Sequence, residues 1–128
     1  MTLRLVNRAK NYSGRTAIVV EGNAYTYADL LRVSRIVTTK LLTGRKNLNA
    51  NRICILVPPG WDYVVSLWGI WRAGGVAVPM AISHPPAELA HIIEDAEPEA
   101  VIAHPALFDR ISSLAEKYEL PVLKTPFV

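Results

Sequence analysis

The side chains able to do chemistry are few, and each competes with a local structural role. Three histidines, His84, His91 and His104, lie in the second half of the chain. A neutral imidazole is the commonest general base and metal ligand near neutral pH. No pair of them has the close helical spacing of a zinc motif. His91 falls inside a helical pattern, where a partly exposed surface residue is expected. His84 and His104 each precede a proline and follow an apolar strand pattern. Both are therefore expected beyond strand carboxyl ends, where open parallel sheets bind ligands, and a helix N-cap is the competing role for each. Glu94, Asp95, Glu97 and Glu99 crowd one helix exit; a solvated turn is expected there rather than a cation site. No Ser, Cys or Thr sits in a nucleophile-elbow sequence. Cys54, the single cysteine, lies in an apolar run, which excludes a disulfide framework and a cysteine zinc site.

The turn Pro58–Asp62, reading PPGWD, stands between a strand pattern and a helix pattern, the position of a phosphate cradle in many nucleotide folds. A cradle needs several backbone N–H groups at the helix start. Pro58 and Pro59 have none, and only Gly60 allows close approach. The dinucleotide glycine fingerprint and a Walker-type Gly-Lys-Ser/Thr are both missing. The turn is expected to be a corner of the scaffold, and Gly74-Gly75 a helix stop rather than a ligand loop.

The elements that would position these groups follow from periodicity. Thr16–Tyr27 holds two short apolar runs around Glu21-Gly22-Asn23, a β-hairpin pattern. Residues 1–16 are polar and basic, with Asn11–Thr16, reading NYSGRT, as a turn or lead-in. Thr26 caps a helix over Tyr27–Leu42, with Asp29 three residues on as a capping-box partner, and Gly44 ends it. Arg52–Pro58 is an apolar run without alternation, the mark of a strand covered on both faces. Trp61–Ala73 is a helix apolar nearly all round. Trp61, Trp68 and Trp71 share its stripe; a core or domain contact is expected, and the wall of an acyl pocket is the alternative. Val76–Pro79 is a strand. Pro85-Pro86 open a third helix, capped by Ser83 or His84, that ends by Pro98. Ala100–His104 is a strand, Pro105–Glu119 a fourth helix, and Leu120–Thr125 a last strand. Helical crossovers between strands predict an α/β fold, a mostly parallel sheet with helices on both faces, preceded by the hairpin.

At 128 residues, 51% hydrophobic and 20% charged, the chain suits one filled core and excludes disorder. The longest oily segment, Tyr63–Ala73, is too short for a membrane span. No secretory signal is recognisable, and a cytoplasmic location is expected. The net charge of +3 hides an asymmetry. Met1–Arg52 carries ten Lys/Arg against two acids, and the remainder four against nine. A basic surface for an anionic partner competes with a solvated face whose charges meet acids elsewhere. The scattered positions, without interleaved aromatics of the RNA-reader kind, favour the solvated face and no nucleic acid.

The ordered set Thr26-Tyr27-Ala28-Asp29-Leu30, Asn51-Arg52-Ile53, Pro58–Asp62, Arg72-Ala73-Gly74-Gly75, Val78-Pro79, Pro86-Ala87-Glu88-Leu89 and Asp95 before Val101-Ile102 resembles the start of an adenylate-forming (AMP-binding) enzyme. That group comprises acyl- and aryl-CoA synthetases, peptide-synthetase adenylation domains and luciferases. The run HPPAEL from His84 is similar to the acyl-CoA synthetase branch, particularly enzymes for malonate or other fatty-type acids. The loop TGRKNLNAN and the corner PPGW depart from the usual pattern without touching chemistry.

The resemblance implies one N-terminal subdomain over residues 1–128, part of a larger adenylate-forming domain and present as a fragment, split gene product or truncated form. The complete ligase would use ATP, Mg²⁺ and CoA on a carboxylic acid, in fatty acid metabolism. The family's ATP loop, ribose aspartate and catalytic lysine lie downstream, so no catalytic residue transfers to this chain. No cofactor is expected to bind this segment alone, and its partner would be the rest of the ligase. Only the loop Met80, Ala81, Ile82, Ser83 and His84 is nominated, as a CoA-facing stretch. The rival expectations are the head of a peptide-synthetase adenylation domain and a free-standing, non-catalytic adaptor.

Overall fold

A computed structural model describes residues 3–128; Met1 and Thr2, at the head of the polar, basic stretch, lie outside the described residues. The basic stretch before the hairpin holds a helix, α1, Arg4–Lys10, that its polarity concealed, and the residues after it, Asn11–Gly14, form the expected turn. Its signal in the sequence is short, since only Val6 and Ala9 turn inward and no side chain caps its start. Docking on the next helix holds it, as expected for a seven-residue helix too short to be stable alone.

Strands β1 (Thr16–Val20) and β2 (Asn23–Thr26) form the antiparallel hairpin. Glu21 and Gly22 both have positive φ, 49° and 81°, as a two-residue type I′ turn demands. Helix α2 (Tyr27–Leu42) starts in a complete capping box. The Thr26 hydroxyl accepts from the Asp29 N–H at 3.1 Å, and the Thr26 N–H donates to the Asp29 carboxylate at 2.9 Å. The left-handed C-cap is Thr43, one residue before Gly44.

The sheet has four strands, β3 (Arg52–Leu56), β4 (Val76–Pro79), β5 (Ala100–Ala103) and β6 (Val122–Lys124), in the order β4-β3-β5-β6. Every neighbouring pair is parallel. Alternation along a strand sends successive side chains to opposite faces, and the core divides accordingly. Ile53, Ile55 and Ile102 pack with α1, α2 and helix α3 (Trp61–Arg72) on the first face. Cys54, Leu56, Val101 and Ala103 pack with helices α4 (Pro86–Ala96) and α5 (Ser112–Lys117) on the second. The expected α/β fold, with helices on both faces after a short hairpin, is the observed one.

Two helix expectations need correction. The single helix over Pro105–Glu119 is split into a 3-10 helix, Pro105–Arg110, and α5, because Ile111 leaves helical geometry to bury itself in the second-face core. Helix α4 starts from Pro85 without a side-chain cap, and neither Ser83 nor His84 serves it. The tryptophans also divide. Trp61 and Trp68 pack on the first-face core, whereas Trp71 stands at its rim, 38% exposed.

Helices α2 and α3 pack closely against each other. A Cβ built on Gly69 would lie 2.4 Å from the Val37 side chain, so glycine is what allows the contact. Polar groups then lock the pair. The Thr38 hydroxyl donates to the Gly69 carbonyl at 2.8 Å, and the Arg72 guanidinium donates to the Leu31 carbonyl at 2.7 Å and the Ser34 hydroxyl at 2.9 Å. Leu48 anchors the loop into β3, fully buried, with its N–H on the Ala73 carbonyl at 2.8 Å. Further along that loop Ala50 is held at φ 63°, a left-handed conformation that L-residues disfavour.

Gly69→Ala should gain about 1 kcal/mol of helix propensity yet lose more, with a net destabilisation of about 1–3 kcal/mol from overpacking. Urea unfolding measures it, and adding Val37→Ala should return part of the loss. Ala50→Gly should raise stability by about 1 kcal/mol by relieving the left-handed alanine, read as an increased Tm.

Candidate functional site

A parallel sheet offers its ligand crevice where adjacent strands send the chain to opposite faces. Here those strands are β3 and β5. After β3 the chain turns through Pro58–Gly60 into α3 on the first face; after β5 it turns through His104 towards α5 on the second. The two strand ends are tied by the His104 N–H, which donates to the Leu56 carbonyl at 2.9 Å. The His104 Nδ1 accepts from the Ala106 N–H at 3.0 Å and so caps the 3-10 helix. Asp62, in the first turn of α3, lies near it: burial raises the Asp62 carboxyl, and the His104 charge partly offsets that rise. Beyond β6 the Thr125 N–H donates to the Ala103 carbonyl at 3.1 Å. The Thr125 hydroxyl is buried and, among the described residues, has no hydrogen-bond partner.

The loop Met80–His84 leaves β4 at the same carboxyl edge. The Met80 N–H donates to the Ile55 carbonyl at 2.8 Å, and the Met80 side chain is buried in the second-face core. Ala81, Ile82 and Ser83 are exposed, and His84 is half-buried. Ala81–His84 closes a turn, with the His84 N–H on the Ala81 carbonyl at 3.0 Å. The Ala81 N–H donates back to the His84 Nδ1 at 3.2 Å, which leaves Nε2 as the proton-bearing nitrogen of the neutral ring. Arg110, at the end of the 3-10 helix, donates to the carbonyls of both Ile82 and His84. One guanidinium thus pins the loop across 26 and 28 residues of sequence. No local pattern marks Arg110; a basic residue in a final helical turn ordinarily reads as serving its own helix.

The Pro58–Asp62 turn is closed to a phosphate. Tyr25 of the hairpin stacks on Trp61 with centroids 4.1 Å apart and planes within 7°. The Val20 side chain lies 3.9 Å from a Cβ built on Gly60. Asp62 adds a negative charge to the first turn of α3, which disfavours an anion there. Gly74 has a structural demand of its own: its φ is 80°, and a Cβ there would strike the Asn47 amide at 2.2 Å.

The other candidate groups are dispersed. His91 is exposed on α4. Glu94 accepts from the Tyr118 hydroxyl at 2.7 Å. Glu97 is the left-handed C-cap of α4, and Asp95 is exposed. Glu99 is clamped by the Arg45 guanidinium at 2.8 and 2.5 Å and by the Asn51 amide at 3.1 Å, contacts that hold its carboxyl below the usual range. Among the described residues no group of three or more His, Cys, Asp or Glu could hold a metal ion. Burial pushes the Cys54 thiol up to about 11, which keeps it protonated and unreactive.

The sequence matches the AMP-binding enzyme family over residues 5–126. It is 35% identical over 121 residues to the mitochondrial malonate–CoA ligase ACSF3 of Xenopus laevis, a match covering 91% of this chain and 21% of that protein. The Bos taurus malonate–CoA ligase ACSF3 is 32% identical over 123 residues, covering 93% and 21%. A putative long-chain-fatty-acid CoA ligase of Rhodopseudomonas palustris superposes with a TM-score of 0.83 at 18% identity, over 98% of this chain and 33% of that one. The chain spans about a fifth of the length of the curated relatives it matches. With the family pattern running through nearly all of its residues, the chain belongs to the AMP-binding enzymes.

Proposed function

We propose that this chain is the N-terminal segment of an AMP-forming acid–CoA ligase, structural rather than catalytic by itself. The complete enzyme would activate a carboxylic acid with ATP and Mg²⁺ to an acyl-adenylate and pass the acyl group to CoA. The observation that carries the reading is the match over residues 5–126 together with 35% identity to a malonate–CoA ligase. Malonate, or a similarly short acid entering fatty acid metabolism, is the proposed substrate class. The geometry supports a scaffolding role. The one corner placed like a phosphate cradle is covered by the hairpin and carries a carboxylate. These residues therefore do not fit the phosphates of ATP at that corner, and no step of adenylation is assigned to them.

CoA has a better-suited surface in the loop after β4. Ala81, Ile82 and Ser83 are exposed at the sheet's carboxyl edge, and the Ser83 hydroxyl and His84 Nε2 supply polar groups to it. Met80 and Arg110 act behind the loop, the first by burial and the second by fixing its carbonyls.

Two measurements test this reading. The purified chain given ATP, Mg²⁺, CoA and a panel of acids should release no pyrophosphate, whereas the ligase formed with the remaining sequence should release it, fastest with malonate. Turnover by the chain alone would overturn the scaffolding role, and a ligase indifferent to malonate the substrate class. Arg110→Ala should speed amide hydrogen exchange in the Ile82–His84 turn by about tenfold or more, the loss expected of charge-assisted hydrogen bonds. In the ligase it should raise the KM for CoA more than that for the acid.

A further inference from the structure

The positive charge of the N-terminal part does not stay dispersed once the chain folds. Two concave grooves flank α1. The first, about 440 Å³, has Arg8 and Arg15 at its rim and Ala9, Tyr27 and Trp68 in its wall. The second, about 280 Å³, is bordered by Lys10, Arg35 and Arg72. No carboxylate lines either groove. Among the described residues the ion pairs are Asp29–Arg32 and Arg45–Glu99, so none of these five cations is matched by an acid. The expectation of a solvated face whose charges meet acids elsewhere does not hold for this cluster.

Arg8 and Arg15, both exposed, also gather at one aromatic ring. Both guanidinium carbons lie over the Tyr12 ring, at 6.0 and 5.0 Å from its centroid. The ring attracts each cation, yet it gathers two like charges at one rim and supplies no anion. Beside them the wall is aromatic: Trp68 is almost fully buried, and Tyr27 is packed against the first-face core. A cavity of this size, apolar within and cationic at the mouth, has the features of a small-molecule site. Guanidinium pairs favour carboxylate and phosphate heads, which they can bind through paired hydrogen bonds.

We propose that the first groove binds a small amphipathic anion, its carboxylate or phosphate head between Arg8 and Arg15 and its acyl or aryl body against Ala9, Tyr27 and Trp68. The site shares no residue with the loop after β4 and does not depend on the function assigned to that loop. Lys10, Arg35 and Arg72 border the other groove and add to the positive charge around α1.

Octanoate is the probe, octanamide its neutral counterpart, and inorganic phosphate a head without a tail. Titration of the full chain, followed by ¹H–¹⁵N chemical shifts, should show saturable octanoate binding that moves the Arg8, Tyr12 and Arg15 amides and the Trp68 indole. Octanamide should bind at least about tenfold more weakly, and so should octanoate to Arg8→Gln/Arg15→Gln, as expected from losing hydrogen bonds to a charged group. Phosphate should compete weakly and move the arginine signals alone. Arg32→Gln, outside the groove, should bind octanoate like the parent chain. Equal affinity for octanoate and octanamide would overturn the proposal, as would no saturable shift or retained affinity in the double variant. Binding to phosphatidylserine vesicles that octanoate does not displace would make this a membrane face instead and would equally overturn it.

Discussion

A strand hydrogen-bonded along both edges and apolar on both faces cannot be left open to water, and β3 imposes that condition on the rest of the chain. Its Ile53 and Ile55 require one apolar layer, its Cys54 and Leu56 another, and all four are fully buried. Each buried aliphatic side chain contributes about 1.5–3 kcal/mol relative to exposure, so neither face is optional. Right-handed crossovers settle which helices serve which face. Stepping from β3 to β4 places α3 on the first side, and returning across β3 to β5 and β6 places α4 and α5 on the second.

The two ends of the sheet are then treated differently. The amino edge is closed by charge: Arg52 donates to the carbonyls of Ala96 and Glu97 at the end of α4, and Arg45 and Asn51 clamp Glu99 as the chain enters β5. These contacts offset the orphan carbonyls of a helix terminus. The carboxyl edge is shaped instead by backbone turns, one histidine cap at His104, the His84 ring bonded within its own turn, and one long-range guanidinium, and it leaves Ala81–Ser83 exposed. An edge with a rigidly backed but exposed loop suits contact with a ligand or with further protein, while the opposite edge is already satisfied.

Much of this was legible from residue order. The capping box at Thr26 and Asp29, the hairpin turn at Glu21-Gly22 and the two-sided strand at Arg52–Leu56 are local or periodic signals, and each appears as expected. His104 caps the helix that its proline announced. Local signals failed where packing overrode them. Helix α1 exists because Val6 and Ala9 find a core to enter. The helix after Pro105 breaks because Ile111 is drawn into another. At the candidate site, the loop after β4 could be nominated, but not its support. Arg110 is distant in sequence, and nothing around it indicates which carbonyls it will meet.

The amino-acid sequence by itself determined most of the element types, the parallel α/β class and the resemblance to adenylate-forming enzymes, because these rest on periodicity, caps and ordered short motifs carried within single segments. Only the tertiary structure decided that Gly69 sets the spacing of α2 and α3 and that the hairpin covers the Pro58–Asp62 corner. It also decided which scattered cations would face one another without acids around α1. Those outcomes depend on distances between side chains far apart along the chain, and packing alone sets such distances.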